Sequence, residues 1–202
     1  MRAIPNMRIF VPADAVETRQ AVFAAAKIDG PVYIRTVRGE VPVIFDESYN
    51  FVPGKAVTLR EGDEVTIIST GMMTAKSLDA VDQLAEQGIS AGLIHVSTIK
   101  PIDADAIAAS ARRTRRIVTV ENHSVIGGLG GAVAEVLCEM EPAWLKRIGF
   151  RDVFGESGDD EKVFSKYGVN TEHIVAAAAG MARTKAGEFN EKSRGSGDKR
   201  GV

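Results

Sequence analysis

The stretch RIVTVENHSVIGGLGGAVAEVLCEM, residues 116–140, decides the fold. It opens on a short apolar run, 116–120, β-branched and too brief for a helix. A glycine-rich turn follows, Gly127-Gly128-Leu129-Gly130-Gly131. From there Leu129, Ala132, Val133, Val136, Leu137 and Met140 recur at i, i+3, i+4, i+7, i+8 and i+11, the spacing of one helix face. A strand running straight into an amphipathic helix is the repeating half of a parallel α/β sheet.

The same alternation extends in both directions. Strand-like runs stand at 64–69, 92–96 and 147–150, with helical patterns at about 72–87 and 103–113. Two terminal helices are expected at about 159–167 and 171–183, the second capped by Asn170 or Thr171. Repeated βα units with short turns predict a mainly parallel sheet with helices on both faces, over 62–183, long enough to fold alone. Residues 39–61, with Pro42, Pro53 and Gly54, read as an extended linker. Residues 184–202 are polar and charged and read as a disordered tail.

Residues 1–38 hold one βαβ unit. Met7 to Val11 reads as a strand, and Asp14 with Glu17 three residues on reads as a capping box. The helix face expected to be apolar is Val16, Val22, Phe23 and Ala26, and Asp29-Gly30-Pro31 stops the helix before the strand Val32-Tyr33-Ile34. One such unit cannot bury both faces of its own strands. It either docks on the rest of the chain or has its neighbours elsewhere, so it reads as a partial domain.

Composition narrows the function. The 202 residues carry a net charge of −2 and 45% hydrophobic residues, an ordinary globular balance with no basic field for nucleic acid or an anionic membrane. No apolar run approaches the ~20 residues of a membrane span, and MRAIPNMRIF lacks the pattern of a secretory leader. The single Cys138 cannot form an internal disulfide, fits a reducing cytoplasm, and reads as a small core residue. A cytoplasmic protein acting on small molecules or protein partners is expected.

Read together, the segments resemble the transketolase family. Residues 1–38 look like the end of its pyrimidine-binding domain, and 54–183 like its C-terminal domain. The marks are GKAVTLREGDEVTIISTGMM (54–73), STIKPID (97–103), VTVENHSVIGGLGGAVAE (118–135) and FGESG (154–158). The resemblance implies a two-carbon ketol transfer between sugar phosphates on thiamine diphosphate with Mg²⁺. It also implies a homodimer, or a heteromer with a chain carrying the diphosphate-binding domain and the rest of the pyrimidine-binding domain. The family's Gly-Asp-Gly…Asn motif finds no match here, since Gly62-Asp63-Glu64 and Gly158-Asp159-Asp160 do not fit it. Its cofactor-activating glutamate and substrate histidines map upstream of residue 1. No catalytic, cofactor-binding or metal-ligating residue is therefore assigned, and the chain is expected to be inactive alone. Alternatives are a non-catalytic assembly or regulatory module, or a part of a deoxyxylulose-phosphate synthase or a 2-oxo acid dehydrogenase β-type enzyme.

One substrate-binding residue is assigned. Arg35 ends the strand 32–34, and ligands bind at the carboxyl ends of parallel strands. The resemblance places it on the arginine that clamps the sugar phosphate, a task a planar guanidinium suits; a salt bridge is the other reading. The remaining features have structural explanations. Close packing of helix on sheet accounts for Gly127 to Gly131 better than an anion loop does. His123 has no partner at metal spacing, His95 and His173 read as structural or solvated, and the run Arg112 to Arg116 suits a helix C-terminus.

Overall fold

The computed structural model describes residues 1–184. The tail expected over 184–202 lies, apart from Thr184, outside the described residues.

A five-stranded sheet forms the centre. Its strands are β3 (Val57–Arg60), β4 (Val65–Ser69), β5 (Ala91–His95), β7 (Arg116–Ser124) and β8 (Trp144–Phe150), in the order β3-β5-β4-β7-β8. β4 pairs parallel with β5 and β7, and β7 with β8; β3 runs antiparallel along β5. That edge strand lies within the stretch read as linker, where Val57-Thr58-Leu59-Arg60 alternates apolar and polar residues in only four positions. Two helix pairs cover the sheet. α2 (Met73–Glu86) and α6 (Thr171–Arg183) bury Met73, Leu84, Ile174 and Ala178 against Val65, Ile67, Leu93 and Val120. On the other face α3 (Ala104–Thr114) and α4 (Leu129–Glu139) bury Ile107, Ala111, Val133 and Leu137 against Ile68, Ile94 and Ile117. α5 (Asp160–Tyr167) seats Phe164 in the first of these cores. The architecture is α/β, three-layered and mainly parallel.

The first 38 residues supply β1 (Arg8–Phe10), α1 (Ala15–Ala25) and β2 (Val32–Ile34), with β1 and β2 parallel. The missing neighbour comes from within the chain. β6 (Thr98–Lys100), in the STIKPID stretch, pairs antiparallel with β1 and completes a second sheet, β2-β1-β6. Val11 N–H donates to Ser97 O at 2.7 Å, Gly71 N–H donates to Val11 O at 3.1 Å, and Ile9 and Val11 join the α3/α4 core. The βαβ unit thus docks on its own chain.

Three expectations need correction. Helix α1 buries Glu17 and Ala21, whereas Val22 and Phe23 stand exposed. The buried acid and Ala21, one turn on, take the inward face, so Val22 and Phe23, which lie off that stripe, face outward. Cys138 is exposed, because the buried face of α4 runs through Leu129, Val133, Val136 and Leu137 and Cys138 points away from it. Met140 lies past the end of α4 and is also exposed.

The Asp14 half of the capping box forms and does more than cap, while the Glu17 side chain returns to the N–H of Ala13 rather than of Asp14. Asp14 Oδ1 accepts from Glu17 N at 2.8 Å, while Asp14 Oδ2 takes the N–H groups of Ile44 and Phe45, each at 2.8 Å. The Glu17 carboxylate, fully buried, accepts from Ala13 N at 2.7 Å, Tyr49 Oη at 2.6 Å and His95 Nε2 at 2.8 Å. His95, also fully buried, meets Thr74 Oγ1 through Nδ1 at 2.8 Å, and Ser69 Oγ donates to Thr74 at 3.0 Å. Burial alone raises the Glu17 pKa, but the hydrogen bond and attraction of His95, with Tyr49 and Ala13, outweigh it and hold the carboxyl below its ordinary 4.5.

Removing that carboxylate strands two buried donors, Ala13 N–H and His95, and the half-buried phenol of Tyr49. Glu17→Ala is expected to cost about 3–5 kcal/mol in urea denaturation at pH 7. A group depressed in the folded state contributes stability above its unfolded value, near 4.5, that is lost as pH falls through the lower folded value. Glu17→Gln should therefore flatten the acid side of the stability profile below pH 4.5. An unchanged slope in that variant would show that other carboxyls carry the acid sensitivity.

Candidate functional site

The carboxyl ends of β2 and β7 face each other across a cleft of about 110 Å³, lined by Tyr33, Arg35, Glu121, His123, Gly128 and Leu129 among others. Arg35 reaches it because its backbone continues the β1–β2 pairing: Arg35 N–H donates to Phe10 O at 2.8 Å, just past the end of β2. Its guanidinium spans to the other sheet. Nη1 donates to Asn122 Oδ1 at 2.7 Å and Nη2 to Asn122 O at 2.8 Å. Burial lowers the Arg35 pKa, with Tyr33 and Glu121 acting in the opposite direction. A guanidinium starts high enough to stay charged at neutral pH regardless.

The residues facing Arg35 lie where β7 departs from regular pairing. Its register with β8 shifts between Val120 and Ser124, and Glu121, Asn122 and His123 fall inside that shift. Glu121 turns inward and is almost wholly buried. Its two oxygens take the first N–H groups of α4: Oε2 accepts from Leu129 N and Oε1 from Gly130 N, both at 2.8 Å. Burial raises the Glu121 carboxyl, opposed by those two N–H groups and by His123 and Arg35. His123 is half exposed; its Nδ1 lies 2.9 Å from Ser124 O and 3.8 Å from Glu121 Oε2. Arg2 donates to Gly128 O at 3.3 Å and pairs with Glu135, closing one wall of the cleft.

The glycine run now has a specific reason. A Cβ on Gly128 would stand 1.9 Å from Glu121 Oε2, and one on Gly130 would stand 2.8 Å from both Thr119 Oγ1 and Arg147 Cδ. The glycines admit an internal carboxylate to the helix end and let the helix close on the sheet. The N-terminus of α4 is an anion site after all, with Glu121 as its anion. Two features of the sequence pointed there: an acid at a strand end, and a helix whose N-cap, Gly128, has no side chain to offer. Asn122 gave no such signal.

The other sequence candidates separate from this cleft. His95 belongs to the Glu17 network, and His173 stands exposed in the first turn of α6 beside its cap, Asn170. Arg113 pairs with Glu61, and Arg112 and Arg115 with Glu141. Asp159 caps α5, accepting from Lys162 N at 3.3 Å. Gly62 is pressed against the backbone of Ala91 and Gly92. Neither acidic triplet thus presents a cradle that would fit a diphosphate with its metal. Among the described residues no group of three or more His, Cys, Asp or Glu could hold a metal ion. No described helix is long and apolar enough to cross a membrane.

Fold and cleft together define an α/β domain with a cleft lined from two sheets, and comparison with known proteins gives it a family. The model of the transketolase C-terminal domain matches residues 54–174, and that of the transketolase pyrimidine-binding domain matches 1–43. A 6-deoxy-6-sulfo-D-fructose transketolase subunit from a Clostridium species is 45% identical over 92% of this chain and 58% of its own length. An apulose-4-phosphate transketolase subunit from Phocaeicola vulgatus is 39% identical over 88% of this chain and 57% of its own. A solved split-gene transketolase, described as an inactive β4 tetramer, superposes with a TM-score of 0.87 at 48% identity, over 90% of this chain and 60% of the other. The chain belongs to the transketolase family and carries its C-terminal domain. It spans a little under three-fifths of the length of the two transketolase subunits.

The glycine–glutamate fit can be tested directly. Gly128→Ala must expel the Glu121 carboxylate from the helix end, at an expected cost of about 1–3 kcal/mol in denaturant unfolding. Gly127→Ala, where a Cβ would meet nothing within 4 Å but φ is +74°, should cost about 1 kcal/mol. A smaller loss at Gly128 than at Gly127 would contradict the fit.

Proposed function

We propose that this chain is the C-terminal part of a thiamine-diphosphate-dependent transketolase that moves a two-carbon ketol unit between sugar phosphates. In this reading it is inactive alone and works with a chain that carries the diphosphate-binding domain and the rest of the pyrimidine-binding domain. Thiamine diphosphate supplies the carbanion chemistry in such enzymes. The described residues do not fit its diphosphate and metal, so no step is assigned to them. The proposed task of this chain is to bind the charged end of the substrate.

Arg35 carries the reading. It is a cation at the carboxyl end of a parallel strand, held on one side and opening on a cleft on the other. The relatives support the ligand class. One is named for a sulfo-sugar and another for a sugar phosphate, and both end in a tetrahedral oxyanion. A guanidinium fork can engage either through two parallel N–H groups.

Mixing this chain with a partner chain that supplies the missing domains should restore ketol transfer, with neither chain active alone. In that mixture Arg35→Ala should raise the KM for a phosphorylated acceptor about ten- to a hundredfold, with little change for a neutral aldehyde. Turnover by the isolated chain would overturn the dependence on a partner. Equal loss for charged and neutral acceptors would overturn the role of Arg35.

A further inference from the structure

We propose that Val153 and Phe154, with Ile126 beside them, form an apolar hook on an acidic loop that seats in a cation-rimmed pocket of the chain carrying the diphosphate-binding domain. The proposal rests on the need for such a partner, argued above, and is independent of any role for Arg35.

The loop follows β8 and leads into α5. Every residue from 151 to 162 is exposed, and Phe154, at 98%, touches almost nothing of its own chain. Val153 is 47% exposed and Ile126 63%. Ile126 belongs to the same end of the sheet, because Val125 N–H donates at 2.9 Å to the carbonyl of Phe150, the last residue of β8. A single exposed apolar side chain is ordinary on a protein surface. Three at one end of one sheet, one of them a whole aromatic ring, mark a surface that another molecule covers.

The hook is held from both sides. Asp152, immediately ahead of Val153, sits at φ +45°, in the left-handed region that an aspartate tolerates better than most residues. Beyond the hook, Glu156 pairs with Lys166 at 2.7 Å and Asp159 caps α5. An anchor ordered in advance loses less entropy on docking than a free loop. Aromatic anchors of this kind dominate binding energy once they are covered.

Three observations choose the occupant. First, the chain's own continuation leaves from elsewhere. Thr184 O accepts from Arg116 Nη2 at 3.1 Å, at the amino end of β7, whereas Phe154 follows the carboxyl end of β8. Second, residues 151–162 carry five acids and two bases. Glu156 and Glu161 are paired with Lys166 and Lys76, while Asp152, Asp159 and Asp160 have no ion pair among the described residues. Across a two-fold axis a second copy would set these acids against themselves, which is repulsive; a cationic rim is attracted. Third, the start of α5 stands beside the stretch leaving β2, with Asp160 Oδ2 4.0 Å from the place of a Cβ on Gly39. The loop therefore borders the carboxyl side of the parallel β1–β2 pair, the edge where parallel sheets present ligands. A chain that brings a cofactor to that edge lies against this loop.

The test uses the full chain, a purified partner chain carrying the missing domains, and the variants Phe154→Ala, Phe154→Asp and Phe23→Asp. Phe23, exposed on α1, is the control for an exposed aromatic elsewhere. In isothermal titration calorimetry, Phe154→Ala should weaken the complex about ten- to a hundredfold and Phe154→Asp more, with Phe23→Asp within about twofold. Melting temperatures of the isolated Phe154 variants should match the wild type, since the ring makes almost no contact within the chain. The Kd should rise at least about tenfold between about 50 and about 500 mM salt. A benzophenone side chain placed at position 154 should photocrosslink to the partner chain. Unchanged Kd in both Phe154 variants overturns the proposal, as does equal weakening by Phe23→Asp or a crosslink to a second copy of this chain. A Kd indifferent to salt overturns the cationic rim. If the wild-type chain neither binds nor activates the partner, the reading of its function fails along with this surface. If it does both and the Phe154 variants bind equally well, only this proposal fails.

Discussion

At the junction of the two sheets sits one buried carboxylate with donors from three separate segments. Glu17 takes the N–H of Ala13 beside its own helix, the phenol of Tyr49 from the connector, and the imidazole of His95 at the end of β5. An ionised group cannot remain in a dry interior unless it is paired and hydrogen-bonded. The three segments must therefore meet at this point, and each fixes the others. The polar chain then runs on through Thr74 at the start of α2 to Ser69 at the end of β4. Phe45, stacked on Tyr49 and tilted against His95, seals it from water. This constraint sets how the small sheet meets the large one, and every contact across the cleft depends on that setting.

Asp14 extends the same logic. Its second oxygen gathers the N–H groups of Ile44 and Phe45, so a residue that caps a helix also pins the irregular stretch ahead of β3. The Phe10 and Phe51 rings, edge to face at 5.2 Å, close the apolar side of that pin. That stretch is thereby held by side-chain polar groups, and only its continuation into β3 gains a ladder. Burying Glu17 also accounts for the outward turn of Val22 and Phe23, since a helix has one inward stripe and the acid and Ala21 occupy it.

Legibility in the sequence divides along a physical line. Period-based elements could be read: α2, α3, α4 and α6 end within a residue or two of their expected limits, because a long amphipathic face repeats its signal several times. β3 and β6 could not, because four and three residues give no period to count and their pairing is decided by distant partners. The place of Arg35 at a strand end was legible, but its pairing with Asn122 was not. Glu17 was legible as a cap but not as a buried hub, since nothing local to residue 17 announces Tyr49 or His95. Asn122 was invisible for the same reason: its meaning comes from a guanidinium 87 positions away.

The cleft shows how a chain can close a helix end to an external anion. Glycine-rich turns leading into helices commonly leave their first N–H groups open to a phosphate. In this chain those of Leu129 and Gly130 already hold Glu121, and the space a ligand oxygen would need beside Gly128 is filled by that carboxylate. A fixed negative group at the helix end repels a second anion there. Beside it on the cleft stands Arg35, paired with the neutral Asn122. Electrostatics thus closes the backbone of α4 to a second anion, and the cation beside it on the cleft is one side chain of the neighbouring sheet. The accuracy of that side chain then depends on how well the Glu17 junction holds the two sheets together.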